Sequence, residues 1–349
     1  MDIKERVQSL VKSFGLPRLI IAIFLLLLFI IAPFANVNVG AGLANVFTRF
    51  GMNAVLVLAM VPMIHSGCGL NFGLPLGIIS GLLGATMSIE FGFTGISSFI
   101  MAILISTPFA LVLGAGYGGL LNRVKGGEMM IATYVGFSSV AFMCIMWLLL
   151  PYDSPNMVWG YAGTGLRTTI SVAGYYGGLL DNFLRIQIGH FAIPTGTILF
   201  FALLAFLMWL FLRTKTGTAM TAVGSNPVFA KASGVSIDRL RMLSVVLSTW
   251  LGAVGIIMYE QSYGFIQLYM GPFNMALPAV SAILLGGASV NKASIANVII
   301  GTLLFQGILT MTPSVMNGLI QMDVSEVIRI IVSNGMILYA LTRKQEATR

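Results

Sequence analysis

The sequence contains few charged residues. Only 9% of its 349 residues are Asp, Glu, Lys or Arg, whereas 57% are hydrophobic; a soluble domain carries about 25% charged residues. So few charges cannot cover the surface of a soluble domain, which excludes that class. The apolar runs are continuous over helical lengths, whereas a membrane β-barrel needs short alternating strands. The composition therefore predicts an all-α polytopic membrane protein.

Residues that commonly build active sites are also scarce. The chain has two cysteines, Cys68 and Cys144, and two histidines, His65 and His190, and their spacing forms no metal or redox motif. The motifs GxSxG, HExxH and GxxxxGKS/T do not occur. We therefore expect no catalytic residue, no metal site and no cofactor on this chain, and we predict that it is not an enzyme.

Ten apolar segments are long enough to be membrane-spanning helices. A bilayer core of about 30 Å requires roughly 20 residues of helix. The stretch HSGCGLNFGLP, residues 65–75, is too rich in glycine for one continuous helix and too apolar for a solvated loop, so we predict a break there. The predicted spans are residues 18–36, 50–65, 73–90, 95–121, 129–150, 194–212, 242–261, 276–291, 293–312 and 326–342.

The Lys and Arg residues predict the orientation of these spans. Cytoplasmic loops of membrane proteins carry an excess of both residue types. With both termini in the cytoplasm, 15 of the 19 basic residues lie inside, and four lie outside: Arg49, Arg167, Arg185 and Arg329. The net charge of +8 is therefore a topology signal, and its spread over several loops argues against binding to nucleic acid.

Two stretches 203 residues apart resemble each other. LPLGIISGLLGATMS begins at Leu74 and LPAVSAILLGGASVN at Leu277, and the predicted topology passes them through the membrane in opposite directions. Inverted repeats of this kind are typical of transporters, which carry the substrate path at the repeat interface. The alternative is a coincidental similarity between two helices that are rich in small residues, because such residues favour close packing in membranes.

Ionisable residues are almost absent from the predicted spans. Glu90, Glu260 and Arg329 fall at predicted outer ends, where their side chains can reach water, and His65 fits a packing role at the end of a span. The absence of paired carboxylates disfavours one alternative class, an ion-coupled secondary carrier. A membrane enzyme acting on lipids, the other alternative, would require clustered charges at a membrane face.

Uncharged polar side chains within the spans mark a candidate path for a solute. Their polar groups would remain unsatisfied in lipid, so we expect them inside the bundle, together with aromatic rings that can stack on a flat solute. Ordinary hydrogen bonding between helices is the alternative role for each. The candidate pathway residues are Asn53, Asn71, Phe72, Thr86, Ser88, Tyr259 and Gln261.

Two long hydrophilic segments interrupt the spans: an outer loop of residues 151–193 and an inner loop of residues 213–241. The inner loop reads RTKTGTAMTAVGSNPVFAKASGVSIDRLR. A loop of this length without secondary structure is uncommon unless it has a function. We therefore expect local structure within it.

A short helix is predicted near the middle of the inner loop. Asn226 is a typical helix cap, and Pro227 favours the first helical position, so PVFAKAS should form about two turns that end before Gly234. Gly217 and Gly224 are expected to break the chain on the N-terminal side. A short helix displayed in this way is suited to a groove of a soluble partner.

The inner loop resembles the cytoplasmic loop of a known family: the permease subunits of ABC importers of the simple-sugar, nucleoside and branched-chain amino-acid type, which includes ribose permeases. That loop has a Gly, an Ala-x-Gly-x-Asn step, an Ala-rich short helix and a closing Gly-Val or Gly-Ile. Downstream, ALPAVSAILLGGASV resembles an Ala-rich family helix, although GGASVNKAS has fewer glycines than usual. The residues that the resemblance implies in ATPase coupling are Gly217, Ala222, Gly224, Asn226, Pro227, Ala230, Ala232, Gly234 and Val235.

The resemblance also implies an architecture and partners. The chain would be one transmembrane permease domain, residues 1–349, with about ten spans in two inverted halves and a second permease subunit, identical or related, in the bacterial cytoplasmic membrane. Separate ATP-binding subunits would hold ATP and Mg²⁺ and dock on the short helix, and an extracytoplasmic binding protein would deliver the solute. The expected solute is a simple sugar; a nucleoside or another ribose-bearing compound such as riboflavin is the alternative.

Overall fold

The computed structural model describes residues 16–160, 165–188 and 191–320, together with residues 327, 330–332, 334 and 335. In chain order its helices are α1 (Leu16–Ile31), α2 (Val39–Leu58), α3 (Met60–His65), α4 (Leu74–Glu90), α5 (Gly95–Arg123), α6 (Glu128–Leu149), α7 (Leu179–Asn182), α8 (Thr195–Arg213), α9 (Lys215–Ser225), α10 (Pro227–Ala232), α11 (Ile237–Tyr263), α12 (Gly271–Leu285) and α13 (Ile295–Ile320). A 3₁₀ helix, Ala32–Ala35, follows α1.

In the described part of the chain, four short strands lie in the loops between these helices: β1 (Thr169–Ser171), β2 (Ile186–Ile188), β3 (Phe191–Ile193) and β4 (Phe265–Gln267). The strand β1 pairs with β4, and β2 pairs with β3, both antiparallel. The β1–β4 pair joins the outer loop to the segment between α11 and α12. The outer loop is therefore folded onto the bundle, and its own residues Tyr152, Ile170 and Tyr176 are buried.

Seven helical segments of the described residues are long and apolar enough to cross a membrane, and α4 and α12 are shorter apolar helices. The second span was predicted at 50–65 but runs as α2 and α3 over Val39–His65, so its start was wrong by about three turns of helix. The ninth, predicted at 293–312, extends through α13 to Ile320. The tenth, 326–342, lies largely outside the described residues, as does Arg329.

The centre of the bundle is formed by α2, α4 and α11, which small residues bring into close contact. A Cβ atom added at Gly77 or Gly81 of α4 would collide with the backbone of α11, and one at Gly255 of α11 would meet Leu56 of α2. The helices α1, α5, α6 and α8 surround this centre and expose Leu, Ile and Phe side chains on their outer faces. Such an apolar exterior is the surface that contacts lipid.

The chain crosses the bundle alternately, which gives it two different ends. We call one of them the basic end, because it carries Arg123, Lys125, Arg213, Lys215 and Lys231 in the turns around α5, α8 and α10. The outer loop and β4 lie at the opposite end. This separation of Lys and Arg follows the pattern from which the orientation was predicted.

The two similar stretches lie on α4 and α12, which run in opposite directions between the two ends. Their positions within the helices differ, however. Leu74 is the first residue of α4, whereas Leu277 lies in the middle of α12, and the second stretch continues past the helix end at Leu285. The similarity in sequence therefore does not place the two stretches at equivalent points of their helices.

The predicted break at HSGCGLNFGLP is confirmed. After α3 ends at His65, residues 66–73 follow an irregular path with Gly67 at a φ of 74°, a conformation that glycine adopts without strain. Most of the segment is buried. Its polar groups therefore have to be satisfied within the protein.

Candidate functional site

The inner loop folds as two consecutive helices, α9 and α10. Thr214 caps α9, because its Oγ1 atom accepts a hydrogen bond from the Gly217 nitrogen over 3.2 Å. The helix then continues through Gly217 and Gly224 to Ser225. The prediction that these glycines break the chain was wrong: both are helical.

Close packing explains why glycine occupies these helical positions. A Cβ atom at Gly217 would overlap the backbone of Phe211 and Leu212, and one at Gly224 would overlap the carbonyl oxygen of His65. Glycine is normally unfavourable inside a helix by about 1 kcal/mol. Here the requirement for close contact outweighs this local preference.

The short helix α10 has the predicted start and end. The Asn226 Oδ1 atom accepts a hydrogen bond from the Phe229 nitrogen over 3.0 Å, and Pro227 is the first helical residue. At the end, Gly234 has a φ of 78°, and the Val235 nitrogen donates to the Ala230 carbonyl over 3.0 Å. This is a Schellman motif, which closes the helix after two turns.

The two faces of α10 differ in burial. Ala230 is buried, whereas Val228 and Phe229 are 78% and 66% exposed. Ala232 is also exposed, and Ala222 of α9 is half-buried. The helix is therefore attached by a small residue and displays two large apolar side chains at the basic end, the arrangement that suits docking in a groove.

His65 connects α9 to two other parts of the bundle. Its Nδ1 atom lies 3.0 Å from the hydroxyl oxygen of Thr221, and its Nε2 atom lies 2.9 Å from the carbonyl oxygen of Ala293. A carbonyl only accepts, so Nε2 carries the hydrogen in this arrangement. His65 is thus a packing residue with both ring nitrogens satisfied, as expected, and its side chain links α3 with α9 and with the segment before α13.

Two ion pairs anchor the start of α11. Arg241 Nη2 lies 2.6 Å from a Glu128 carboxylate oxygen, and both side chains are largely buried. Lys125 and Asp238 form an exposed pair at 2.8 Å. These contacts attach the helix that follows α10 to the turn between α5 and α6.

The predicted pathway residues lie in several separate groups. Asn71 is buried, donates to the Ser248 hydroxyl over 2.7 Å and accepts from the Tyr117 hydroxyl over 3.2 Å; Phe72 follows it and is half-buried. Thr86 lies 2.9 Å from the Tyr152 hydroxyl. These side chains have their hydrogen-bond partners within the protein.

Ser88 belongs to a further group, since it donates to the Ser98 carbonyl over 2.9 Å. Asn53 donates to the Arg49 carbonyl within α2, also over 2.9 Å. The rings of Tyr259 and Tyr263 on α11 lie 5.4 Å apart. The structure therefore does not gather all the predicted residues around one path.

Gln261 and its neighbours join α11 to the outer loop. The Gln261 amide donates to the Thr197 hydroxyl over 3.1 Å and to an Asp181 carboxylate oxygen over 3.3 Å. Glu260 was expected to reach water, but this was wrong: it is fully buried and accepts from the Tyr176 hydroxyl over 2.7 Å. Burial, together with the Glu260 charge, holds the pKa of Tyr176 well above its usual range, so its hydroxyl remains a donor.

A cavity of about 410 Å³ lies between α2, α11 and α13, and its described lining includes none of the predicted pathway residues. Arg49, predicted to lie outside the membrane, is in the middle of α2 and lines this cavity. The sequence contains an indication of this polar face. The spacing of Asn45, Thr48 and Arg49 places three polar side chains on one side of a helix.

The described residues thus define a multi-pass α-helical membrane protein with an exposed, doubly capped helix at one end. A family model described as "Branched-chain amino acid transport system / permease component" matches residues 42–341, and the chain belongs to this family. It is an ABC importer permease of the inner membrane.

Several known proteins are similar over most of the chain. The "Ribose import permease protein RbsC" of Escherichia coli strain K12 is 24% identical over 306 residues, which cover 86% of this chain and 84% of that protein. The "Autoinducer 2 import system permease protein LsrC" of Shigella flexneri is 25% identical over 262 residues, 75% of this chain and 72% of that protein. A solved structure described as "An inward-facing conformation of a putative metal-chelate type ABC transporter" aligns with 93% of this chain and 99% of its own at 17% identity and a TM-score of 0.48.

Proposed function

We propose that this permease carries a simple sugar across the membrane, driven by a partner ATP-binding subunit that docks on α10 from the cytoplasm. The observation that carries the coupling role is the exposure of Val228 and Phe229 on a capped helix at the basic end. An ATPase groove would bury these side chains. ATP and Mg²⁺ would then belong to the partner, while this chain provides the path.

A movement of α10 can be transmitted to the membrane-spanning helices through two sets of contacts. On one side, α9 is joined through Thr221 and His65 to α3 and to the segment before α13. On the other side, the Schellman motif leads into α11, whose first turn is held by Asp238 and Arg241. Both routes support alternating access, in which the ATPase moves the helices around a central path.

The choice of a sugar rests on the cavity between α2, α11 and α13 and on the relatives. The cavity is lined by amide and hydroxyl groups that can bond to a polyhydroxylated solute. RbsC is named for ribose import and LsrC for import of autoinducer 2. An extracytoplasmic binding protein would deliver the sugar at the opposite end, where the outer loop is folded on the bundle.

The coupling role is tested by a matched pair of valines at the basic end. Val228→Asp introduces a charge on α10, and Val124→Asp introduces the same charge at an exposed position after α5. We expect V228D to abolish copurification of the ATP-binding subunit and ATP-dependent uptake into proteoliposomes, and V124D to retain both. If V228D retains both, α10 is not the coupling element.

The solute is tested separately, by calorimetry on the binding protein of this importer with D-ribose, D-galactose and adenosine. Binding of a sugar supports the proposal. Binding of adenosine alone would mean that the solute is a nucleoside and not a sugar.

The energy source is tested by uptake without the ATP-binding subunit. Uptake that continues without this subunit and stops with an ionophore would contradict ATP coupling.

A further inference from the structure

Arg49 lies inside the helical segment Val39–His65, which is long and apolar enough to cross a membrane. It is ten residues beyond Val39, the first residue of α2, which corresponds to about 15 Å along the helix axis. The apolar span continues to His65, and the Arg49 side chain is exposed on the surface of the bundle. A cation at this depth is unfavourable in hydrocarbon and marks a face that contacts protein or a water-filled solute path.

The cavity beside Arg49 has the size and lining of a small-molecule site. Its volume of about 410 Å³ falls in the range of about 300–1,000 Å³ that is usual for such sites. Three different helices contribute polar groups to it. These are Asn45 and Thr48 from α2, Ser262 and Tyr263 from α11, and Thr310 and Ser314 from α13.

The helix hydroxyl groups in this cavity are arranged to accept hydrogen bonds. The Thr48 hydroxyl donates its hydrogen to the Ala44 carbonyl over 3.0 Å, and the Thr310 hydroxyl donates to the Gln306 carbonyl over 2.6 Å. Ser314 donates to the Thr310 carbonyl in the same way. Each oxygen retains lone pairs, which suit the hydroxyl hydrogens of a sugar.

Arg49, in contrast to these hydroxyl oxygens, is a positively charged hydrogen-bond donor. The ion pairs within the described part of the chain are Lys125–Asp238 and Arg241–Glu128, and neither involves Arg49. A guanidinium group presents several N–H donors in a plane and binds a carboxylate or phosphoryl group through two hydrogen bonds at once. The Asp181 carboxylate accepts from the Ser262 hydroxyl at the cavity wall over 2.8 Å but lies beyond ion-pair distance of Arg49. A neutral sugar would therefore leave Arg49 without an ion pair among the described residues.

We infer that the cavity binds a sugar that carries one acidic group, a carboxylate or a phosphoryl group. Arg49 binds the acidic group, and the hydroxyl oxygens of α2 and α13 accept from the sugar hydroxyls. This inference rests on the proposed sugar transport and narrows its solute class. It also assigns to Arg49 a specificity role, because an acidic group pairs with its charge, whereas a neutral hydroxyl only accepts a hydrogen bond from it.

The test measures binding to the full-length permease in phosphatidylcholine nanodiscs at constant ionic strength. The probes are D-galacturonate, D-galactose 6-phosphate and neutral D-galactose. We expect at least one acidic sugar to bind about tenfold more tightly than D-galactose, as a charge-assisted hydrogen bond predicts. Arg49→Gln should remove this preference, while Arg185→Gln, which removes an exposed arginine of the outer loop, should leave it unchanged.

Three results would overturn the inference. The wild type could bind D-galactose as tightly as both acidic sugars, in which case sugar transport stands without the acidic group. Arg49→Gln could retain the preference while eluting as wild type on size exclusion. Addition of phosphatidylglycerol to the nanodiscs could abolish the preference, which would assign Arg49 to a lipid phosphate. Arg49→Lys, which keeps the charge, should retain part of the preference and thus controls for misfolding.

Discussion

The carbonyl oxygen of His65 faces the α-carbon of Gly224 so closely that a Cβ atom at position 224 would overlap it. The Gly67 nitrogen would lie 2.9 Å from the same Cβ atom. The end of the α2–α3 span is therefore in backbone contact with α9. Because α9 leads directly into α10, this contact connects the exposed helix to the centre of the bundle through α2 and α3.

Gly224→Ala should destabilise the protein because neither neighbouring atom belongs to a movable side chain. Overpacking of this kind costs about 1–3 kcal/mol, which a thermal-unfolding measurement in detergent detects. The matched control is Gly116→Ala in α5, where an added Cβ would meet nothing within 4 Å. An equal melting temperature for G224A and G116A would show that the α3–α9 contact is not tight.

The hydrogen bond between His65 and Thr221 can be measured by a double-mutant cycle. His65→Leu removes this bond together with the one to Ala293, and Thr221→Val removes only the bond on the α9 side. Because both variants lose the same contact, we expect their effects on unfolding free energy to be less than additive by about 0.5–1.5 kcal/mol. Strictly additive effects would mean that the two side chains do not interact.

Local signals in the sequence were sufficient to predict α10. The cap at Asn226, the proline after it and Gly234 act within a few residues of each other, so no tertiary information is required. Gly217 and Gly224 were misread because close contacts with Phe211 and His65 leave no room for a Cβ atom at these helical positions, and such contacts are not visible in the local sequence. Low helix propensity is a local preference, and tertiary packing overrides it.

The start of α2 was missed for a similar reason. Residues 39–49 mix Gly, Asn, Thr and Arg with apolar residues, so their hydropathy does not indicate a span. In the structure Gly42 lies against Met311 of α13, and Asn45 and Arg49 face a cavity. A polar face within a span can be recognised only when the neighbouring helices are known. Average hydropathy along the sequence does not reveal this part of the site.

The two ion pairs at the start of α11 should differ in their contribution to stability. Arg241→Met leaves the Glu128 carboxylate with the hydrogen bond from the Gly126 nitrogen but without its charged partner, and losing a hydrogen bond to a charged group costs about 1.5–3 kcal/mol. Lys125→Met affects a pair whose side chains are 54% and 63% exposed, and such pairs contribute about 1 kcal/mol or less. Thermal unfolding of both variants checks this order, and a larger loss in K125M would contradict it.

The Tyr176–Glu260 contact should control how firmly the outer loop is held on the bundle. Tyr176→Phe removes the donor that Glu260 Oε2 accepts from, and Glu260 Oε1 has no hydrogen-bond partner among the described residues. The carboxyl group would then be buried without a bond, at a cost of about 1–3 kcal/mol. We expect a lower melting temperature and faster proteolysis of the outer loop.

The double variant Tyr176→Phe, Glu260→Met distinguishes an unsatisfied polar group from lost packing. Replacing both partners with apolar groups of similar shape can be nearly neutral, so the double variant should recover most of the stability that Y176F loses. Tyr175→Phe is the control, because among the described residues the Tyr175 hydroxyl accepts one hydrogen bond, an exposed one from Asn156. If Y176F and the double variant lose the same stability, the loop is held by the apolar contacts of the Tyr176 ring rather than by its hydroxyl.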